Sequence, residues 1–267
     1  MHQIDPRAIK ALALDLDGTI LRPGAALSGR MLRTLHRCRE RGIQLIICTG
    51  RPVGAAEFFR VPLGAAGPMV YFNGAEVVDM PGVKILETTL LEAAVVEYCA
   101  GMARTLGAHY QVFLPPRGGT ASPPETLLIE REGPEAQLYR RRTGLVPVIG
   151  DIKKALTAPG VRGCIKGMFI AEKAVQDTIR RELTRQFGGR LYMAATHPSF
   201  LEIMAPGVSK GRGLEAVMRR RGLAAAEVLA LGDEENDLPL FAAAGFSAAP
   251  ASAEERIQAA ATTVFGS

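Results

Sequence analysis

Two aspartates, Asp15 and Asp17, close a short apolar run and are followed at once by Gly18 and Thr19. Paired carboxylates suit a reaction in which one oxygen attacks an electrophile while the other carboxyl trades a proton with the leaving group. Gly18 permits the chain to turn there, so that both carboxylates can address one pocket. A calcium loop also opens Asp-x-Asp, but it needs Gly at position six and Glu at position twelve, where this chain has Ile20 and Ala26. A second acidic cluster, Gly232-Asp233-Glu234-Glu235-Asn236-Asp237, sets Asp233 and Asp237 one helical turn apart. Oxygen ligands without His or Cys favour Mg²⁺ over zinc or copper. Two acidic strand ends facing one another would also repel unless a cation lay between them. Glu234 and Glu235 are expected to face solvent. Lys210, within Gly207-Val208-Ser209-Lys210-Gly211, offers a further positive charge to a bound anion. The Thr49 hydroxyl and Gly50 amide of Thr49-Gly50-Arg51 suit the same anion at a helix N-terminus. Arg51 reads equally as a substrate contact or as a salt-bridge partner. Asn73 reads as a substrate contact or as half of an Asn-Gly turn.

Alternating strands and helices must position these residues. Ile9 to Leu14 is a buried strand ending at Asp15. Ser28 caps a helix to about Arg41, with Met31, Leu32, Leu35 and Cys38 on its apolar face. Ile43 to Cys48 is a second strand, Val53 to Phe59 a helix and Met69 to Phe72 a third strand. That order predicts an α/β core, a doubly wound and mostly parallel Rossmann-like sheet with ligands beyond the carboxyl ends of its strands. Ala75 to Leu86 reads as a hairpin around Met80-Pro81-Gly82. The middle of the chain differs in texture. Helical periodicity over 92–106 and 172–187, with strands over 108–114, 126–130 and 164–170, predicts an inserted α+β cap. Pro115-Pro116-Arg117-Gly118-Gly119 and Ser122-Pro123-Pro124 form a stiff loop within it. The core pattern resumes near Phe200-Leu201-Glu202-Ile203, then a helix from about Lys210 and a strand over Val228–Leu231. The expected division is a core of residues 1–89 and 193–267 around a cap of residues 90–192.

At 267 residues, with 48 % hydrophobic and 22 % charged composition, the chain has room for such an insertion and is neither fibrous nor disordered. No apolar run is long enough to span a bilayer, and residues 1–10 lack the apolar stretch of a secretory signal. Four scattered cysteines without a Cys-x-x-Cys pair read as reduced thiols of a cytoplasmic protein. The +5 net charge lies partly in Arg140-Arg141-Arg142 and Arg219-Arg220-Arg221, without interleaved aromatics, the second closing a predicted helix before Gly222, which predicts a solvated surface and no specific nucleic-acid partner. His36 and His109 read as structural, and His197, before Pro198, as structural rather than pocket-lining.

Asp15-Leu16-Asp17-Gly18-Thr19, Thr49-Gly50-Arg51, Lys210 and Gly232-Asp233 through Asn236-Asp237 occur in that order, each after a predicted strand. Together they resemble the four motifs of the haloacid-dehalogenase-like superfamily. The insertion, Phe72-Asn73-Gly74-Ala75 and Leu201-Glu202-Ile203 before Gly207-Val208-Ser209-Lys210-Gly211 resemble its Cof-like branch, which carries a large α/β cap. The resemblance implies a nucleophilic Asp15 that becomes an aspartyl-phosphate and an Asp17 that protonates the leaving alcohol and deprotonates the hydrolytic water. It also implies that Thr49 and Lys210 hold the transferring phosphoryl group, with Gly18, Gly50, Arg51, Asn73 and Asn236 around the substrate. Mg²⁺ would be bound by Asp15, Asp233 and the backbone carbonyl of Asp17, with Asp237 supporting the metal site or Lys210. The implied activity is hydrolysis of a small phosphorylated metabolite, a sugar phosphate or similar monoester, by a monomer or homodimer whose cap closes over the substrate. A phosphotransferase or mutase would use the same aspartyl-phosphate, and a non-catalytic regulatory module would use the fold alone. The chain departs from the family after the fourth motif, where Ala244-Gly245-Phe246-Ser247-Ala248-Ala249-Pro250-Ala251 lacks the usual Asn-Ala pair.

Overall fold

The computed structural model describes residues 7–21, 27–116 and 125–266. Strand β1 (Ala11–Leu14) leads through the turn at Asp15 to helix α1 (Gly29–Glu40). The Ser28 side chain accepts from the Met31 amide and caps that helix. Only Leu35 of its expected apolar face is buried; Met31, Leu32 and Cys38 are half-buried. Strand β2 (Gln44–Ile47), helix α2 (Val53–Leu63), and strands β3 (Gly67–Tyr71), β4 (Glu76–Met80) and β5 (Lys84–Thr88) follow. Next come β6 (Leu91–Glu92), α3 (Ala93–Leu106), β7 (His109–Leu114), β8 (Thr126–Ile129), α4 (Pro134–Thr143), β9 (Val148–Ile149) and α5 (Ile152–Leu156). The chain continues with β10 (Gly163–Cys164), β11 (Lys166–Ile170), α6 (Lys173–Phe187), β12 (Tyr192–His197) and β13 (Phe200–Met204). It ends with α7 (Lys210–Arg221), β14 (Val228–Leu231), α8 (Leu238–Ala243), β15 (Phe246–Pro250), α9 (Glu255–Ala260) and β16 (Thr263–Phe265).

These elements form two compact units, one of residues Met1–Glu87 and Ser209–Ser267, the other of Thr88–Val208. The first holds a parallel sheet in the order β16-β15-β14-β1-β2. Leu14 lies opposite both Ile47 and Leu231, so three strands end level and release Asp15, Cys48 and Gly232 at one edge. Beside this sheet runs β3-β4-β5, joined to it by a bridge between Cys48 and Val70. A core of Ala11, Ala13, Ile46, Val70, Leu214, Val217, Val228, Ala230 and Phe241 seats α7 and α8 on the strands. Each fully buried Leu, Ile or Val there contributes about 1.5–3 kcal/mol. The segment that lacks the family's Asn-Ala pair forms β15, a regular strand whose Ser247 exchanges amide–hydroxyl hydrogen bonds with Thr262.

The second unit contains a sheet in the order β12-β13-β11-β7-β8-β9, antiparallel except for the β8–β9 pair. Its core includes Val96, Cys99, Tyr110, Val112, Phe169, Ile179 and Leu183. The return to the parallel core therefore comes later than the expected residue 193. Phe200–Met204 pairs with β11 and β12 in the second sheet, and Glu202 accepts from buried Lys166 at 2.8 Å. A short run buried on both faces reads alike in either kind of sheet, and the buried ion pair is what places this one. The expected strand over 164–170 is interrupted after Cys164. Both arginine clusters close helices, Arg140–Arg142 on α4 and Arg219–Arg221 on α7, as helix-dipole stabilisation favours. Among the described residues, no helix is long and apolar enough to cross a membrane. Part of the expected proline-rich loop, residues 117–124, lies outside the described residues, as does Ala26.

Candidate active site

Asp15 stands immediately beyond β1, its amide donating to the Leu231 carbonyl at 3.0 Å, which continues the parallel ladder one step past the strand. Its carboxylate is buried and accepts from Lys210 Nζ at 2.6 Å. The same ammonium donates to Asp237 Oδ1 at 2.6 Å, while Asp237 Oδ2 accepts from the amides of Asp233 (3.0 Å) and Glu234 (3.1 Å). Lys210 opens α7, whose N-cap Ser209 accepts from the Arg212 amide. The helix start can come this close because residue 211 is glycine: a Cβ there would lie 2.1 Å from the Pro239 carbonyl oxygen.

Asp233 completes the cluster. Oxygens of Asp15, Asp233 and Asp237 lie within 4.8 Å of one another. Thr19 Oγ1 donates to Asp233 Oδ1 at 2.6 Å, so this hydroxyl ties the first motif to the fourth. Gly18 makes that approach possible. Its φ is +83°, and a Cβ would stand 1.9 Å from Asp233 Oδ2. Gly18→Ala is accordingly expected to displace Asp233, to destabilise the protein by about 2 kcal/mol or more, and to weaken divalent-cation binding. Urea denaturation and a Mg²⁺ titration followed by calorimetry would check both effects.

Electrostatics follow from this crowding. Burial pushes the Asp15 carboxyl well above its ordinary 3.8, with Asp237 and Asp233 pushing the same way and Lys210 pulling back. Burial likewise raises Asp233 to about 6, against the Thr19 hydrogen bond and with Asp237 beside it. Burial opposes the charge of Lys210, but Asp15 and Asp237 more than offset it and hold the ammonium protonated. Two of the three carboxylates bond the one ammonium, and all the donors are hard oxygens. This set fits a hard divalent cation.

The remaining candidates surround this cluster in three groups. Thr49 follows β2; its amide donates to Val70 at 3.0 Å and its hydroxyl accepts from the Arg51 amide at 3.1 Å. The Asp17 carboxylate is not part of the acidic cluster. It is exposed and gripped by Arg51, whose Nε and Nη2 donate to its two oxygens at 2.7 and 2.6 Å. Any role of Asp17 toward a metal therefore falls to its backbone carbonyl. Asn73 is fully buried, and its Oδ1 accepts from Asn236 Nδ2 at 3.1 Å, so these two candidates meet each other. Gly50 lies against that amide, where a Cβ would stand 2.8 Å from Asn73 Oδ1. Phe72 and Asn73 both take positive φ, 48° and 54°, held by amide bonds to the carbonyls of Arg51 and Thr49. Such backbone costs on the order of 1–3 kcal/mol per residue and collects at sites where orientation matters.

Residues without a chemical signature of their own also take part. Phe59, on α2, carries the Arg51 guanidinium 4.7 Å above its ring. Arg51 precedes the helix N-cap Pro52, so no helical spacing announces this contact in the sequence. Glu234 and Glu235 are exposed, as expected. His36 meets the Pro62 carbonyl, His109 the Gln111 side chain, and His197 Nδ1 accepts from the Ser199 amide in its own turn. All four cysteines are free thiols, with Cys38 half-buried and the others buried.

Comparison with known proteins agrees with this architecture. The phosphoglycolate phosphatase of Aeropyrum pernix is 30 % identical over 259 residues, covering 96 % of this chain and 87 % of the relative. The HMP-PP phosphatase of Serratia proteamaculans is 28 % identical over 236 residues, covering 87 % and 80 %. A haloacid dehalogenase-like hydrolase from Bacteroides thetaiotaomicron superposes with a TM-score of 0.84 at 24 % identity, covering 97 % of this chain and 94 % of that one. The sequence profile of haloacid dehalogenase-like hydrolases matches residues 12–267, spanning both units. With the four motifs converging beyond one edge of a parallel sheet, the chain belongs to the haloacid dehalogenase-like hydrolases.

Proposed function

We propose that this protein is a Mg²⁺-dependent phosphatase that hydrolyses a small phosphorylated metabolite, a sugar phosphate or similar monoester, through an aspartyl-phosphate on Asp15. The observation that carries the reading is the buried Asp15 carboxylate, fixed by Lys210 at 2.6 Å beside two further aspartates. Asp15 attacks phosphorus, the bond from phosphorus to the ester oxygen breaks, and Asp17 delivers a proton to the departing oxygen to give the alcohol. Asp17 then takes a proton from water as that water attacks phosphorus. The bond to Asp15 breaks, and inorganic phosphate leaves with both aspartates restored. Thr49, the Gly50 amide and Lys210 hold the phosphoryl oxygens and orient them in line. Bound by Asp15, Asp233 and the Asp17 carbonyl, Mg²⁺ would supply the charge neutralisation that a carboxylate needs to approach a phosphate dianion.

The family's hydrolases generally use a metal ion, and the relatives named above act on different phosphate compounds. The substrate is therefore best described as a small phosphorylated metabolite, with the chemistry in the unit that holds Asp15 and the choice of substrate assigned to residues of the unit Thr88–Val208. The direct test is Mg²⁺-dependent release of phosphate from 4-nitrophenyl phosphate and a panel of sugar phosphates, abolished by EDTA. No release from any of them would overturn the reading.

The metal site also predicts a pH dependence. Because the Asp233 carboxyl titrates near 6 when folded against 3.8 ordinarily, the folded protein keeps a proton there that the unfolded chain has lost between those values. Metal-free stability therefore falls as pH rises through that window. A divalent cation must displace the same proton. The rise in Tm on adding MgCl₂ is expected to be larger at about pH 7.5 than at about pH 5. Equal shifts at both pH values would place the cation elsewhere.

A further inference from the structure

The ion pair on the rim of the site has a geometry that bears on which substrates it admits. Arg51 offers Nε and Nη2 to the two oxygens of Asp17 at 2.7 and 2.6 Å, so the whole carboxylate edge faces the guanidinium. Behind the fork lies the Phe59 ring, 4.7 Å from Arg51 Cζ. A planar fork on an aromatic floor is the arrangement that recognises carboxylate or phosphate by two parallel bonds, and it loses little side-chain freedom in doing so. The pair is accessible, with 58 % of the Asp17 side chain and 22 % of the Arg51 side chain exposed, so a ligand reaches it without opening the core.

The reaction asks Asp17 to turn an oxygen toward the departing alcohol and pass it a proton. In the closed fork both oxygens already accept N–H donors, and a carboxyl O–H would be set against one of them. At least one bond of the fork must open during the step. The Nε and Nη2 donors that faced Asp17 then turn to the substrate side, while the phosphoryl oxygens are held by Thr49 and Lys210. A second anion on the substrate satisfies the same two donors in the same plane. The geometry points to Arg51 as a specificity-determining residue that exchanges Asp17 for an anionic group on the alcohol portion of the substrate. Preferred substrates are then phosphate monoesters whose alcohol bears a carboxylate. This inference rests on the phosphatase reading above.

Matched substrates test it. 3-Phosphoglycerate and glycerol 3-phosphate differ in a carboxylate against a CH₂OH, as do 6-phosphogluconate and sorbitol 6-phosphate. 4-Nitrophenyl phosphate serves as the reference without a second anion. The native enzyme with Mg²⁺ is expected to favour the carboxylated member of at least one pair by about tenfold or more in kcat/KM. Arg51→Ala should remove that preference chiefly through KM for the carboxylated substrate, with a smaller change for 4-nitrophenyl phosphate. Arg51→Lys, which keeps the charge and loses the fork, should fall between. Phosphate release without discrimination in either pair, or an equal loss on all substrates in Arg51→Ala, would overturn the proposal alone. No release from any of the five by the native enzyme would overturn the phosphatase reading and the proposal with it.

Discussion

Replacing Asp15 with asparagine is expected to lower phosphate release by at least about 10⁴-fold, because the amide cannot form the acyl phosphate and nothing else in the cluster is placed to replace it. The same substitution should leave the protein as stable as before, or more so. Asp15 is a buried carboxyl that desolvation and two neighbouring aspartates push toward its neutral form, so an uncharged isostere relieves crowding. Lys210 keeps a partner in Asp237 at 2.6 Å. Loss of turnover with an unchanged or raised Tm would separate a chemical role from a structural one. Wild-type turnover in Asp15→Asn would refute the assignment of the nucleophile.

Lys210→Met should show the opposite profile, losing both activity and stability. Lys210 is the ammonium that bridges Asp15 and Asp237, and all three side chains are nearly or fully buried. Methionine matches its length but leaves two buried carboxylates facing each other without the cation. Breaking a buried pair in this way typically costs about 3–5 kcal/mol. Turnover should fall by about 10²–10³-fold, as when a charge-stabilising donor to a transferring group is removed. Adding Asp237→Asn to Lys210→Met should recover much of the stability, since one stranded charge is gone, but not the activity. Denaturant midpoints and phosphate-release assays on the native protein and the two variants form the measurement. Activity recovered together with stability would mean that Lys210 serves the fold alone.

These contrasts also explain why the acidic cluster was legible in the sequence. Asp15, Thr49 and Asp233 each follow a short, largely apolar strand, and such strands in a parallel sheet end together here, as Leu14, Ile47 and Leu231 do. The pairing of Asn73 with Asn236 and the grip of Arg51 on Asp17 were not legible. They depend on side-chain directions at turns, where Phe72 and Asn73 take left-handed backbone that periodicity cannot announce. In the other unit, α4 escaped detection because only Ala136 and Tyr139 of its ten residues are buried, and three arginines fill its last turn. Strand β12 is half-exposed and carries little apolar alternation. The late return to the core was missed because Phe200–Met204 is buried along its whole length, which says nothing about which sheet buries it.

The split of the parallel sheet between two distant stretches of chain sets an order on assembly during synthesis. Strand β1 lies between β2 and β14, and the hydrogen bond from Thr19 to Asp233 joins residues 214 apart. At translation speeds of about 5–20 residues per second, roughly 10–40 s separate the emergence of its two ends. The unit Thr88–Val208 is contiguous and is made entirely within that interval. The first two motifs therefore wait for their acidic and basic partners until nearly all of this sequence has left the ribosome, and a nascent chain stopped before Lys210 carries Asp15 without its counter-ion.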